Sequence, residues 1–225
     1  MPEAIPPLDP VEIRVLASLL EKETATPDYY PLTLNALTNA CNQSSNRDPV
    51  VTLGEQAIVR AMDSLREKKL AYVTTGGINR VAKYGQRLAE ALELGPAERA
   101  VLCELMLRGP QTMGELRGRA SRLHPFGALA EVEAALGALA ARSPQPLAQK
   151  LPRQTGFKES RYAQLLGGPI GPGPAETFAA GAEPAAASAP AESGRIAKLE
   201  EETAALRREL AELRQELEGF RRQFQ

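Results

Sequence analysis

The chain holds one histidine, His124, among 225 residues. That scarcity excludes every catalytic or metal-binding motif that needs two imidazoles. Cysteine is nearly as rare. Cys41 and Cys103 lie too far apart for a metal-ligand spacing and are too few for a disulfide framework. No apolar run approaches the roughly 18 residues of a bilayer-spanning helix. Met1-Pro2-Glu3-Ala4 has no basic stretch leading into an apolar one, so no signal peptide is expected. These absences lead to the expectation of a soluble, cytoplasmic protein with no membrane partner.

A surplus of one charge is also missing. Net charge is −1, with residues 91–170 mildly basic and 171–225 mildly acidic. Indiscriminate polyanion binders concentrate Lys and Arg on one face; this balance excludes that class and leaves room for a local basic patch. Motifs for chemistry are lacking too. Cys41 stands beside Asn42 with no base signalled nearby, and a Cys on the apolar face of a short helix reads as core packing. Gly76-Gly77 falls between two strand-like segments rather than between strand and helix, so it makes no phosphate loop. P-loop, zinc and Gly-x-Ser-x-Gly spacings are absent. A non-enzyme without cofactor or bound metal is expected.

What is present is a repeat. Leu8, Pro10, Glu12, Val15, Leu16 and Leu19 are matched by Leu94, Pro96, Glu98, Val101, Leu102 and Leu105, always 86 residues later. An offset of that size points to a duplicated domain rather than a solenoid. In the first copy Asp9 reads as an N-cap with Pro10 at the first helical position. Val11, Val15, Leu16, Leu19 and Leu20 then form one apolar face. Thr26-Pro27 and Tyr30-Pro31 break the chain. A second helix is expected over Thr33–Asn42, with Leu34, Leu37 and Cys41 inward, and a third over about Glu55–Lys68, anchored by Ile58, Met62 and Leu65. Ala71–Thr74 and Asn79–Tyr84 read as the strands of a hairpin.

The second copy is shorter. Helices are expected over about Pro96–Arg108, Thr112–Arg122 and Leu129–Arg142, with strands at Ala148–Leu151 and Ser160–Leu165. Val132, Leu136 and Leu139 repeat the spacing of Ile58, Met62 and Leu65 at an offset of 74. The first copy therefore carries about twelve extra residues, placed in the polar stretch Asn42–Pro49. Asn, Ser and Asp there suit turns that satisfy their own backbone, with Arg47 the residue most apt to reach outward. Three helices and a hairpin make a winged helix. The expected fold is mainly α with small β-hairpins (α+β): winged-helix modules at 1–90 and 91–166, a linker, and a coiled-coil tail. With no interface foreseen between the modules, separate melting steps are expected.

Thr26-Pro-Asp-Tyr-Tyr-Pro-Leu-Thr-Leu-Asn35, Ala40-Cys-Asn-Gln-Ser-Ser-Asn-Arg-Asp-Pro-Val50 and Arg108-Gly-Pro-Gln-Thr-Met-Gly-Glu-Leu-Arg117 closely resemble the YceH-type bacterial proteins, over about residues 8–166. The resemblance implies a tandem winged-helix fold. That family is of uncharacterised function, so no catalytic residues carry over.

From Gly167 to Gly194, 20 of 28 residues are Gly, Pro or Ala, the composition of a flexible linker. Residues 195–225 differ. Ile196, Leu199, Thr203, Leu206, Leu210, Leu213, Leu217, Phe220 and Phe224 alternate spacings of three and four, an a/d heptad seam. Facing g and e positions pair opposite charges only in a parallel arrangement: Arg195–Glu200, Glu202–Arg207, Glu209–Arg214 and Glu216–Arg221. A parallel coiled-coil homodimer is expected, held by Ile196, Leu199, Leu206, Leu210, Leu213, Leu217 and Phe220, with a trimer left open.

Winged helices commonly bind DNA, yet the helices that would enter the groove read poorly. The third helix of the first module shows Glu55, Gln56, Arg60, Asp63, Ser64 and Glu67; only Gln56 and Arg60 suit base edges. Its counterpart offers Glu131, Glu133, Gly137, Ala138 and Ala141. The nucleic-acid-binding candidates are therefore Arg47, Arg60, Arg80, Lys83, Arg117, Arg119, Arg122, Lys158 and Arg161. Strong duplex binding takes about six to ten phosphate contacts, which requires both modules or two subunits. The expected function is a DNA-binding regulatory dimer; the alternative is a protein-interaction scaffold that uses the modules as packing surfaces. Both double-stranded DNA and a protein remain open as partners.

Overall fold

Asp9 starts the first helix by a reciprocal cap. Its carboxylate accepts from Glu12 N at 2.8 Å, and the Glu12 carboxylate accepts from Asp9 N at 2.8 Å, satisfying two otherwise orphaned donors. Helix α1 then runs Pro10–Ala25 until Pro27 forces a 3-10 turn, Pro27–Tyr29. Strand β1 (Leu32–Thr33) leads into α2 (Leu34–Cys41), where the Thr33 hydroxyl accepts from Ala36 N at 3.3 Å. Helix α3 spans Glu55–Glu67, with Ile58, Met62 and Leu65 fully buried as their spacing requires. Strands β2 (Ala71–Thr75) and β3 (Ala82–Gln86) follow, then the short α4 (Leu88–Ala91). The second half repeats the order with α5 (Pro96–Arg108), α6 (Met113–Ala120), α7 (Leu129–Ala140), β4 (Ala148–Lys150) and β5 (Tyr162–Gln164).

The computed structural model describes residues 5–76, 81–153 and 159–168. Within them the chain is a mixed α+β fold of seven α-helices and two small antiparallel sheets, ordered β1-β3-β2 and β4-β5. The stretch from residue 169, which includes the heptad tail expected from sequence, lies outside the described residues, as do 77–80 and 154–158.

Several elements differ from the sequence reading. Strand β1 was not foreseen: two residues carry no periodicity, and pairing of Leu32 and Thr33 with Tyr84 and Lys83 defines it. The Tyr30 hydroxyl fixes that turn by accepting from Gln86 N at 2.6 Å. Helix α6 stops at Ala120 rather than Arg122, and a single turn follows in which Leu123 N and His124 N both donate to Ala120 O.

The larger difference concerns the modules. An amphipathic helix buries one stripe, but in α1 every residue from Val11 to Glu21 is buried, and in α5 every residue from Ala100 to Leu107. Each covers the face that the other would leave to solvent. The two helices touch at equivalent positions of the repeat: Cys103 Sγ lies 3.5 Å from Ala17 O, 86 residues apart. A single apolar core consequently runs from Leu8 to Leu166, and Leu8 N donates to Leu166 O at 2.8 Å. The halves are one packed body, not two beads.

Candidate functional site

The duplication extends to charge. Glu12 pairs with Lys68 at 2.6 Å, and its counterpart Glu98 pairs with Arg142 at 2.9 Å. Each pair ties the start of the first helix of a half to the residue just past its third helix. Against this background, what the halves do not share marks the junction between them.

One difference is the polar loop after α2, residues 42–54, against the shorter 121–128 after α6. Arg47 was expected to reach outward, and the structure corrects this: its side chain is 0 % exposed. The guanidinium donates to the Glu21 carboxylate at 3.2 and 2.5 Å, to Ala40 O at 3.2 and 2.7 Å, to Asn46 O at 2.9 Å and to Gln43 Oε1 at 2.9 Å. A planar, five-donor group is the side chain that can satisfy a carboxylate and a helix C-terminus together. Arg14, wholly buried in α1, does the same for Cys41 O (3.3 Å) and Pro49 O (2.7 Å). The Asn42 amide closes the far end of the loop by exchanging bonds with Leu53 N and O.

Arg122, another nucleic-acid candidate, is surface-accessible but paired. It pairs with Glu21 at 2.6 Å and with Glu104 of α5. Glu104 in turn meets Arg108 at 3.5 Å, and Arg108 donates to Asn46 Oδ1 at 2.8 Å, back in the polar stretch. The circuit Arg47–Glu21–Arg122–Glu104–Arg108–Asn46 thus joins both halves. Its carboxylates are 2 % and 0 % exposed, and charges so placed are stable only when paired and hydrogen-bonded. Burial raises the Glu21 carboxyl, but the hydrogen bond and charge of Arg47, with the charge of Arg122, outweigh it and hold it below the usual glutamate value. Burial pushes Cys41 up to about 11 and Cys103 well above its ordinary value, so both are protonated thiols at neutral pH.

The other basic candidates divide. Arg60 on α3 and Lys83 on β3 are exposed. Arg117 is exposed and donates to Gly127 O at 3.3 Å. Arg119 is partly committed, to Gln111 Oε1 at 2.8 Å and Glu115 at 3.3 Å. Half-buried Arg161 lies near enough to Glu115 to help lower its carboxyl. Arg80 and Lys158 lie outside the described residues, as do all the seam residues of the tail. Sequence reasoning missed Glu21, Glu104, Arg108 and Arg14. The available signal was that α1 carries Glu12, Arg14, Ser18 and Glu21 among its apolar positions, more polarity than a covered helix tolerates unpaired.

The described residues hold no group of three or more His, Cys, Asp or Glu placed for a metal ion, and no helix long and apolar enough to cross a membrane. The fold defines a mixed α+β protein whose two repeated halves share one apolar core. Residues 8–157 match the family described as "Protein of unknown function, DUF480", and the chain belongs to it. It is 56% identical over 218 residues to a UPF0502 protein of Geotalea uraniireducens and to one of Geobacter sulfurreducens, covering 97% of this chain and 98% of each relative. A UPF0502 protein of Opitutus terrae is 53% identical over 203 residues, covering 90% of this chain and 84% of that one.

Proposed function

We propose that the chain is a non-enzymatic regulatory module of two winged-helix units, 1–90 and 91–166, dimerised through its heptad tail, that acts by engaging another protein. The element order helix, helix, helix, hairpin, found twice, supports the winged-helix reading. One observation carries the choice of partner. Of the helices a winged helix would send into a DNA groove, α3 exposes Glu55, Asp63 and Glu67 beside Gln56, Arg60 and Arg66, and α7 exposes carboxylates and small residues, Glu131, Glu133, Ala134, Gly137, Ala138 and Ala140. Carboxylates facing phosphates repel them, and Ala and Gly cannot read base edges. Meanwhile Arg47 is buried inside the fold, and Arg122 is paired with Glu21 and Glu104. A second reading, DNA binding, is favoured by exposed Arg60, Lys83 and Arg117.

Photo-crosslinking in cells tests the proposal. Gln56 on α3 and Ala134 on α7, both exposed, are replaced one at a time in the full chain by benzoylphenylalanine. A protein adduct of defined mass from at least one position is expected. Nuclease-sensitive adducts alone, at both positions, would instead support the DNA reading.

A further inference from the structure

The loop between α2 and α3, 42–54, is five residues longer than its counterpart 121–128, and two of its hydrogen bonds cross into the second half. Asp48 N donates to Leu107 O at 3.0 Å, at the last turn of α5. Asn46 Oδ1 accepts from Arg108 at 2.8 Å, with Asn46 itself in the left-handed region at φ 56. Asn accepts that conformation with less strain than most residues. Arg47 reaches in the opposite direction, to Glu21 of α1, and Glu21 is shared with Arg122 from beyond α6. The loop therefore bonds α1 and the end of α5 directly, and reaches the turn after α6 through Glu21.

The apolar contact beneath it does not fix an angle by itself. Where α1 crosses α5 the meeting residues are the small Ala17 and Cys103, and apolar burial is non-directional. Hydrogen bonds and forked guanidinium–carboxylate pairs are directional. We infer that the 42–49 stretch is an orientation clasp: through Arg47, Asn46 and Asp48 it fixes the angle between the two halves, and so between the exposed faces of α3 and α7. Arg47 and Glu21 are positioning residues, remote from those faces but governing their relative placement. The clasp operates whatever those faces bind, so it stands or falls separately from the proposed partner.

Spin labels on the full chain test this directly. Arg60→Cys on α3 and Glu133→Cys on α7 supply exposed attachment points, while Cys41 and Cys103 are buried. Labelled chain is diluted into excess unlabelled chain so that distances within one chain dominate. The parent should give one narrow distance distribution. Glu21→Gln, which keeps shape and removes charge, should broaden it about twofold. It should also speed exchange of the Asp48 amide by about tenfold or more, leaving central amides of α1 and α5 protected. Should Glu21→Gln fail to fold, Asn46→Ala, at a partly exposed position, replaces it with the same expectation. An unchanged distribution and unchanged Asp48 exchange in whichever variant folds would overturn the clasp.

Discussion

Arg47→Ala is expected to destabilise the chain by about 3–5 kcal/mol in chemical denaturation, the range for removing one partner of a buried ion pair. The cost arises less from the lost attraction than from what remains. Glu21, 2 % exposed, would keep only Arg122, and Ala40 O would lose two donors. The contrast is Arg66→Ala. Arg66 pairs with Asp63 at 3.1 Å, but the side chains are 51 % and 59 % exposed, and such surface pairs contribute about 1 kcal/mol or less. The pH dependence has a definite sign. A carboxyl whose folded pKa is depressed stabilises the fold fully above its unfolded value. It loses that contribution as pH falls through the folded one. Glu21 and Glu12 are both depressed: at each, burial pushes upward but is outweighed, by Arg47 and Arg122 at Glu21 and by bonds from Lys68, Ser64 and Asp9 at Glu12. Stability should therefore hold from neutral pH to the ordinary glutamate value near 4.5 and decline below it, with a shallower acid limb in Arg47→Ala. A loss under about 1 kcal/mol would mean that the arginine is solvated in solution.

Leu16→Ala and Leu102→Ala should each cost about 2–5 kcal/mol, the range for truncating a fully buried leucine. Both residues are 0 % exposed and occupy equivalent places in the repeat. The informative result is the shape of the transition. Two modules with separate cores would melt in two steps, the expectation from sequence alone. Because α1 and α5 share one core from Leu8 to Leu166, each substitution should shift a single cooperative transition of residues 5–168. Circular dichroism and intrinsic tyrosine fluorescence should give coincident curves. A mutant that splits the transition, leaving the other half at its parental midpoint, would contradict the shared core.

The parts of this fold legible in sequence were those whose signals are local. Asp9-Pro10 with Glu12 encodes a helix start within four residues, and the structure forms that cap. Spacing placed Ile58, Met62 and Leu65, and equally Val132, Leu136 and Leu139, in the core. The twelve extra residues of the first half divide, against the expectation of one loop: seven precede the start of α2 and five lie between the starts of α2 and α3. What the polar loop after α2 does was not legible, because its partners are distant in the chain. Arg47 and Glu21 stand 26 residues apart, and Asn46 and Arg108 stand 62 apart. Neither pairing follows a helical or strand period, so a charged residue in a polar loop read as solvent-facing. The burial of α1 on all sides was hidden for a related reason. An apolar stripe shows which face seeks a core, but not that a duplicate of the same helix covers the opposite face.

That pairing also bears on the choice between partners, since each basic side chain held inside the fold is one fewer for phosphate. The direct test is titration of the full chain against duplex DNA of mixed sequence, at about 50 mM and then about 200 mM salt. A binder making six to ten phosphate contacts loses about 10³–10⁵ in affinity over that interval. The protein-engaging account predicts no saturable binding at low salt with protein in the micromolar range, and no change on replacing Arg60, Lys83 and Arg117 together by Ala. Saturable low-salt binding with a steep salt slope, flattened by that triple substitution, would contradict it.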